Sequence, residues 1–383
     1  MNELTTPALP FTEPHVAPNQ WDYLRDALAS GKLDGNGPYT EQATAFLRQV
    51  TGARAALLTP SCTHALEMTA LALDLAPGDE MIVPAFSYAP TASAFALRGA
   101  RLVYVDSDPD TLNLRPDHLE DAITERTKGV VVLHYAGVPC EMGPIRAIAQ
   151  RRGIAVVEDA AQALGSTYHR QPAGGFGRFA ALSFHATKNV HSVKGGALLL
   201  NDPTDLDRAR VIQDRGTDRY RYFQGLVKDY QWVDLGSSYM LNEVLAALLA
   251  AQLETFDQVQ TRRHRHWRTY HHTLTDWATR HGVGLPVIPD GVAHSAHLYY
   301  LVLPTESAKV ALLEHLTHRG VTATPHYLAL HDSPAGRRFG RVGPHGCAVA
   351  ADRPRRLVRL PMHAGMTEDH QRRVLDAVTS FAP

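Results

Sequence analysis

From about residue 53 the chain alternates short apolar runs with longer stretches in which apolar residues recur at helical spacing. The runs are AALL (55–58), MIVP (81–84), LVYV (102–105), VVVL (130–133), IAVV (154–157), ALSF (181–184) and ALLL (197–200). HALEMTALALDL follows the first, and CEMGPIRAIAQRRG precedes the fifth. Uninterrupted apolar runs predict strands covered on both faces, and their alternation with helices predicts a doubly wound, mostly parallel α/β sheet. Only HATKNVHSVKGG, without helical period, separates ALSF from ALLL, so these two are expected to be neighbouring strands joined by a functional loop.

Around 239–275 a long helical stretch, YMLNEVLAALLAAQLETFDQVQTRRHRHW, passes from apolar to charged, which places a hinge near 255. Beyond it come fewer strands, notably HLYYLVL (297–303), and an exposed segment, HDSPAGRRFGRVGPHG. A chain of 383 residues exceeds one ordinary core, and the expectation is a large α/β domain over 1–255 and a smaller α+β domain over 256–383.

Composition narrows the function. With 44% hydrophobic and 20% charged residues the chain reads as globular, and a net charge of −1 with no basic stripe argues against a nucleic-acid partner. The opening MNELTTPALPFTEPH has neither a basic nor an apolar leader region, and no apolar run approaches a membrane span, so a cytoplasmic location is expected. Cys62, Cys140 and Cys347 lie far apart with no CxxC pair, which suits reduced thiols rather than disulfides or zinc. Six lysines in all leave few amine nucleophiles to consider.

Ligands of open α/β sheets sit at the carboxyl ends of the strands, and the candidate chemistry gathers there. The first strand runs through Ser61-Cys62-Thr63 into a helix, whose N-terminus favours an anion such as phosphate, although a serine there is usually an ordinary cap. Asp159 ends the fifth strand, where a carboxylate can hold a protonated ring nitrogen or merely cap a turn. Lys188 follows the sixth strand; a desolvated lysine there is an amine nucleophile, whereas most lysines are solvated surface charges. The conjunction is more specific than any one residue.

Ser61-Cys62-Thr63, PAFSYAPTASAFALRGA (84–100), VVEDAAQALGS (156–166) and SFHATKN (183–189), in that order, resemble the DegT/StrS-type sugar aminotransferases, a family of fold-type I enzymes dependent on pyridoxal 5'-phosphate (PLP). The likeness extends from SGKLDGNGPYT (30–40) to ALHDSPAG (329–336) and RLPM (359–362). LTPSCTHALEM, HYAGVPCEM, FHATKN and WVDLGSSY are similar to the WecE-type transaminases that act on TDP-4-keto-6-deoxy-glucose. The resemblance implies that Lys188 carries the Schiff base and shuttles the proton. It implies that Asp159 pairs with the pyridine nitrogen, that Gln162 lies near the ring hydroxyl and that Tyr88 stacks on the ring. Cys62, Thr63 and Ser183 would bind the phosphate, and a homodimer would complete the site. It further implies a nucleotide-sugar acceptor, L-glutamate as donor, and His326, Tyr327 and His331 near the sugar nucleotide.

Two departures stand out. Many relatives carry Gly-Glu-Gly-Gly after the lysine, but this chain has Val193-Lys194-Gly195-Gly196 in a loop one residue shorter, which makes Lys194 a rival for the Schiff base. Gly236-Ser237-Ser238-Tyr239-Met240 stands where many relatives have Asn and Arg, leaving Ser238 to reach a partner's phosphate. The histidines show no metal-ligand spacing, and HRHW (264–267) and HH (271–272) read as a solvated helix face. A nicotinamide-dependent oxidoreductase would need G-x-G-x-x-G where TPSCTH stands. Two further readings keep the scaffold: transamination at C3 of a related keto sugar, and PLP binding without turnover.

Overall fold

The computed structural model describes residues 8–383. Its first strands are β1 (Ala55–Thr59), β2 (Glu80–Pro84), β3 (Arg101–Val105), β4 (Thr127–Leu133) and β5 (Ala155–Asp159). The two short strands β6 (Thr167–Tyr168) and β7 (Gln171–Pro172) precede β8 (Phe179–Ser183) and β9 (Gly196–Leu200). The later part of the chain supplies β10 (Val292–Ala293), β11 (Tyr299–Val302), β12 (Gly340–Val342) and β13 (Leu357–Leu360). All seven apolar runs are strands of one eight-stranded sheet in the order β1-β9-β8-β5-β4-β2-β3-β12. β8, β5, β4, β2, β3 and β12 run parallel, while β9 lies antiparallel between β1 and β8. The short β8–β9 connection has no room for a crossover helix, so it joins antiparallel neighbours.

β2 and β9 are buried along their whole length, which is why they read as unbroken apolar runs. Helices Cys62–Ala72, Pro90–Ala96 and Met142–Arg152 cover the sheet between its parallel strands. The segment HDSPAGRRFGRVGPHG is mostly exposed, but it also supplies β12, which adds to the sheet beside β3.

The long helical stretch is two helices, Glu243–Glu254 and Phe256–His281, divided at Thr255. The first is buried nearly all round. The second buries Val259, Arg263, His266, Trp267, Tyr270, Leu274 and Trp277 on one stripe. This corrects in part the expectation of a solvated histidine face: His272 is exposed, but His266 is buried with its Nδ1 3.0 Å from Gln371 Oε1, His271 packs against Trp267 and Tyr299, and His264 packs edge-on to His294. Trp267, Tyr270, Leu274 and Trp277 form a second core with Leu312, Leu316, Val374 and Val378. β11 serves both cores by alternation, with Tyr299 and Leu301 facing the second and Leu298, Tyr300 and Val302 facing the first. We propose Thr255 as the division between the two units, a line that β12 crosses back over.

Helix Pro38–Thr51 is anchored by a carboxylate from elsewhere in the chain. Glu243, 1% exposed, accepts from the N–H groups of Gly37 (3.1 Å), Tyr39 (2.6 Å) and Thr40 (3.1 Å) and from the Thr40 hydroxyl (2.6 Å). It satisfies otherwise orphaned donors at the positive end of the helix dipole. Gly37 is needed there because a Cβ would lie 2.7 Å from Glu243 Cδ. Glu243→Gln should therefore cost about 2–3 kcal/mol, read as a fall in Tm of several degrees by calorimetry. An unchanged Tm would show that the helix start holds without the charge.

Candidate active site

Strand register assembles the mouth of the site. Thr59 pairs with Gly196, and Gly196 with Ser183, so the ends of β1 and β8 flank the start of β9. β1 then turns into helix Cys62–Ala72, capped by Ser61, whose hydroxyl accepts the His64 N–H at 3.2 Å. The Cys62 and Thr63 N–H groups, at the first two helical positions, have no partner within the helix and lie at the positive end of its dipole. Gly196 permits this approach: a Cβ on it would sit 2.4 Å from Cys62 N and 2.4 Å from Ser61 C. Cys62, Thr63 and Ser183 are thus brought together around one helix N-terminus, each partly buried.

Asp159 ends β5 at the same mouth and is 4% exposed. Its Oδ2 accepts the Thr91 hydroxyl at 2.7 Å, its Oδ1 accepts the Ala161 N–H at 3.2 Å, and Cys62 Sγ lies 4.0 Å away. Burial raises the Asp159 pKa, while the two donors and the charge of Lys188 oppose that rise. Burial also pushes the Cys62 thiol well up, and the neighbouring Asp159 adds to the effect.

Lys188 lies in the β8–β9 loop, in a turn closed by its own N–H donating to the His185 carbonyl at 2.9 Å. The loop is tied by Phe184 N–H to Gly195 O (2.8 Å) and Ala186 N–H to Val193 O (2.9 Å). Lys188 lines a cleft with Gln162, Ser183, Asn189 and His297. Burial lowers its pKa; Cys62 and Asp159 draw it back up and Arg359 pushes it further down. Lys194, the rival, is exposed on the outer side of the loop. Asn189 fixes the cleft wall: its Nδ2 donates to Gln260 Oε1 (2.8 Å) and to the Ser295 carbonyl (2.9 Å), and its Oδ1 lies 3.0 Å from His297 Nδ1.

The segment 324–327 closes the site from the later part of the chain. Gln162 Nε2 donates to Tyr327 Oη at 3.3 Å, and its Oε1 accepts the Ala136 N–H at 2.7 Å. Tyr327 stacks on Tyr88, with centroids 5.4 Å apart at 29°, and lies against Phe86. His326 Nδ1 is 2.8 Å from Tyr135 Oη, and burial holds its pKa well below the ordinary histidine value. Tyr88, Gln162, His326 and Tyr327 therefore form one cluster. His331 stands apart, beside Tyr104 at 6.3 Å and Asp332 at 3.7 Å. Ser238 is exposed, in a bridge with Asp214. Reasoning from sequence passed over Thr91, Asn189, His297, Tyr135 and Arg359. Thr91 lies within PAFSYAPTASAFALRGA and Arg359 within RLPM, so each stood in a resembling segment without a role assigned to it.

These residues fit PLP. A helix N-terminus against glycine suits the phosphate, and a buried carboxylate with two protein donors has acceptor capacity left for a pyridinium N–H. A half-buried lysine of lowered pKa suits the aldehyde.

The likeness to known proteins runs along the whole chain. A profile of the DegT/DnrJ/EryC1/StrS aminotransferase family matches residues 14–379. The solved aminotransferase TlmJ from Streptoalloteichus hindustanus is 30% identical, with 97% of this chain and 98% of that one covered and a TM-score of 0.88. DesV of S. venezuelae, solved in complex with a ketimine intermediate, is 29% identical over 98% of each chain, also at 0.88. PseC of Helicobacter pylori, an aminotransferase involved in the biosynthesis of pseudoaminic acid, is 25% identical over 97% of this chain and 98% of that one, at 0.88. The chain belongs to the DegT/DnrJ/EryC1/StrS family of sugar aminotransferases, and its cofactor is PLP.

Proposed function

We propose that the chain moves the amino group of L-glutamate to the C4 ketone of a TDP-linked 4-keto-6-deoxy-hexose, giving a TDP-4-amino-4,6-dideoxy sugar, and that it acts as a homodimer in the cytoplasm. The observation that carries transamination is the convergence of Lys188, Asp159 and Cys62 at the strand ends, under His326 and Tyr327. PLP supplies the electron sink that makes a carbon–hydrogen bond beside nitrogen labile. Lys188, whose pKa burial lowers, would hold the cofactor through its Nζ and would then serve as the group that takes up and returns the proton there. Asp159 would keep the ring nitrogen protonated, and Thr91 fixes the orientation of that carboxylate. Cys62, Thr63 and Ser183 hold the phosphate. Tyr88 would cover the ring and Gln162 would lie at its hydroxyl; His326 and Tyr327 would face the sugar nucleotide, with the expected role of His331 resting on the resemblance alone, since it stands apart from them.

The choice of TDP and of C4 draws support from the WecE-like segments LTPSCTHALEM, HYAGVPCEM, FHATKN and WVDLGSSY. The homodimer draws support from a concentrated run of exposed apolar side chains, Phe223, Leu226, Tyr230, Trp232, Val233 and Leu235, with Trp232 75% exposed. Runs of that kind mark interfaces, and Ser238 lies just beyond this one.

Wild-type protein loaded with PLP should lose its long-wavelength absorbance on addition of L-glutamate, and Lys188→Ala should not. A wild type that binds PLP but never converts glutamate to 2-oxoglutarate would sink the catalytic reading and leave cofactor binding alone. Asp159→Asn should slow the half-reaction by at least about 100-fold while still binding PLP. With TDP-4-keto-6-deoxy-glucose, the product's NMR spectrum should show nitrogen at C4, and nitrogen at C3 would select the other regiochemistry. Trp232→Asp should shift the sedimentation equilibrium from dimer toward monomer. A variant that stays dimeric would place the interface elsewhere.

A further inference from the structure

His297 stands in the wall of the Lys188 cleft, on the segment that leads into β11, and the roles assigned so far leave it unused. Asn189, the residue after Lys188, decides which of its ring nitrogens faces the cleft as an acceptor. The orientation of the Asn189 amide is set by a main-chain oxygen: the Ser295 carbonyl can only accept, so the Asn189 atom 2.9 Å from it is the nitrogen, Nδ2. The second N–H of Nδ2 goes to Gln260 Oε1 at 2.8 Å, and Gln260 turns its own Nε2 to the same Ser295 carbonyl at 3.3 Å. Asn189 Oδ1 is thereby left facing His297 Nδ1 at 3.0 Å, and since that oxygen accepts, Nδ1 carries the proton. In a neutral imidazole the other nitrogen is then a bare acceptor. His297 Nε2 makes no hydrogen bond among the described residues.

The surroundings keep this ring neutral. Burial holds the His297 pKa well below the ordinary histidine value, and Lys188, Arg263, His326 and Arg359 all act in the same direction. An acceptor that does not take a proton is thus held among positive groups, where a charged N–H donor gains most from it. The shape of the cleft selects the donor. Lys188 and His297 share a compartment of about 20 Å³, room for one water molecule and too small for a sugar. Leu164, Leu182 and Val190 make much of its wall apolar. Of the polar groups that line it, Asn189 uses both N–H bonds elsewhere, Gln162 Nε2 is directed at Tyr327 Oη (3.3 Å), and Ser183 turns to the phosphate on the reading above. Lys188 is the donor that remains.

We propose that His297 Nε2 accepts a hydrogen bond from the Lys188 amino group, across no more than one water, and holds that side chain in the cleft whenever it is not bonded to the cofactor. His297 is then a positioning residue that acts through Lys188. A group that takes up a proton and returns it must keep its nitrogen in place in both charge states. A neutral imidazole suits this because it receives an N–H from the amine and from the ammonium alike, whereas a carboxylate in its place would pair with the ammonium and hold the proton on it. The bond to Asn189 is what makes the arrangement lasting: without it the ring is free to turn an N–H toward the lysine, donor against donor. Lys188 and Asn189 are neighbours in sequence, so the bonds that fix the tautomer also fix the ring beside the lysine.

The inference rests on the transaminase reading above, and measurements on the cofactor-free protein separate the two. His297→Asn keeps a donor where Nδ1 stands and removes the cleft acceptor; His297→Gln carries an acceptor to the place of Nε2 and gives up the bond to Asn189. Wild type and both variants, free of cofactor, are labelled with acetic anhydride near neutral pH, and the rate at Lys188 is read by peptide mass spectrometry relative to exposed Lys32. Losing the acceptor disfavours the ammonium form, so Lys188 should be labelled about 10-fold faster in His297→Asn and within about twofold of wild type in His297→Gln. The ¹⁵N resonances of His297 in the wild type, identified by their loss in His297→Gln, should show the neutral ring protonated on Nδ1. With PLP and saturating L-glutamate, His297→Asn should lose the cofactor absorbance roughly 10- to 100-fold more slowly at a KM within about twofold, and His297→Gln should recover most of that rate. A ring protonated on Nε2 overturns the proposal. So does a labelling rate that changes in neither variant, in His297→Gln alone, or equally in both, since each leaves the ring as a prop for Asn189. A wild type that shows the tautomer and the labelling pattern but does not respond to glutamate defeats the transaminase reading and leaves the contact standing. Should His297→Asn fail to fold, the tautomer and His297→Ala decide in its place, with Lys188 expected to label faster in the alanine variant.

Discussion

Burying a carboxylate is unfavourable unless donors surround it, and the two at the end of β5 meet that constraint in opposite ways. Glu158 faces one side of the sheet and is saturated: it accepts the N–H groups of Gly174, Phe176 and Gly177, each at 2.7 Å, and lies 2.9 Å from His134 Nε2. The Cys140 N–H points at His134 Nδ1, which sets the proton on Nε2 and aims it at Glu158. That group pins the loop after β7 and has nothing left for a ligand. Asp159, one residue on and therefore facing the other way, has one hydroxyl and one N–H. The remaining stabilisation must come from a positive group, and around that need stand Lys188, the glycine-flanked helix start and the aromatic cover.

The same logic explains what could be read from the sequence. The seven strands were legible because burial on both faces leaves uninterrupted apolar runs, and their ends located Asp159, Lys188 and the Ser61 turn. β12 was not, since Gly340, Arg341 and Val342 form no apolar run and pair through the backbone alone. The helix break at Thr255 showed only as the change from apolar to charged residues near 255, because threonine is no strong breaker and helical patterns continue on both sides. His266 was misread for a related reason: a helix of charged residues can still bury a histidine when a glutamine amide from another helix satisfies it. Thr91, His297 and Arg359 come to the site from distant segments, and local pattern carries no information about such encounters.

The shortened loop after Lys188 shows which of its residues geometry fixes. A Cβ on Gly195 would lie 2.2 Å from Ser192 Oγ, and one on Gly196 would meet the Ser61–Cys62 backbone, so both glycines are required by close approach. The residues before them carry no such demand. Val193 is 55% exposed with φ at +64°, and Lys194 points outward, so the missing residue is absorbed where side chains meet solvent. For a β-branched residue that backbone is strained, a local cost held in place by the tie from Ala186 N–H to Val193 O.

Charge divides the labour between the two units. The large sheet brings Asp159 and Lys188, a pair close to neutral, together with a helix dipole suited to phosphate. The later segment brings Arg359, while burial keeps His297 and His326 neutral, so the added positive charge is concentrated on one guanidinium. A site built this way has one anion-seeking end at the helix start and a second cation carried by the later segment. The relative placement of the two ends is set by β11 and β13, which pair Tyr299–Leu360 through Val302–Leu357 and send alternate side chains into each core. A shift of one unit against the other would have to unpack both cores at once, so the distance between Arg359 and Lys188 is fixed by packing rather than by any bond between them.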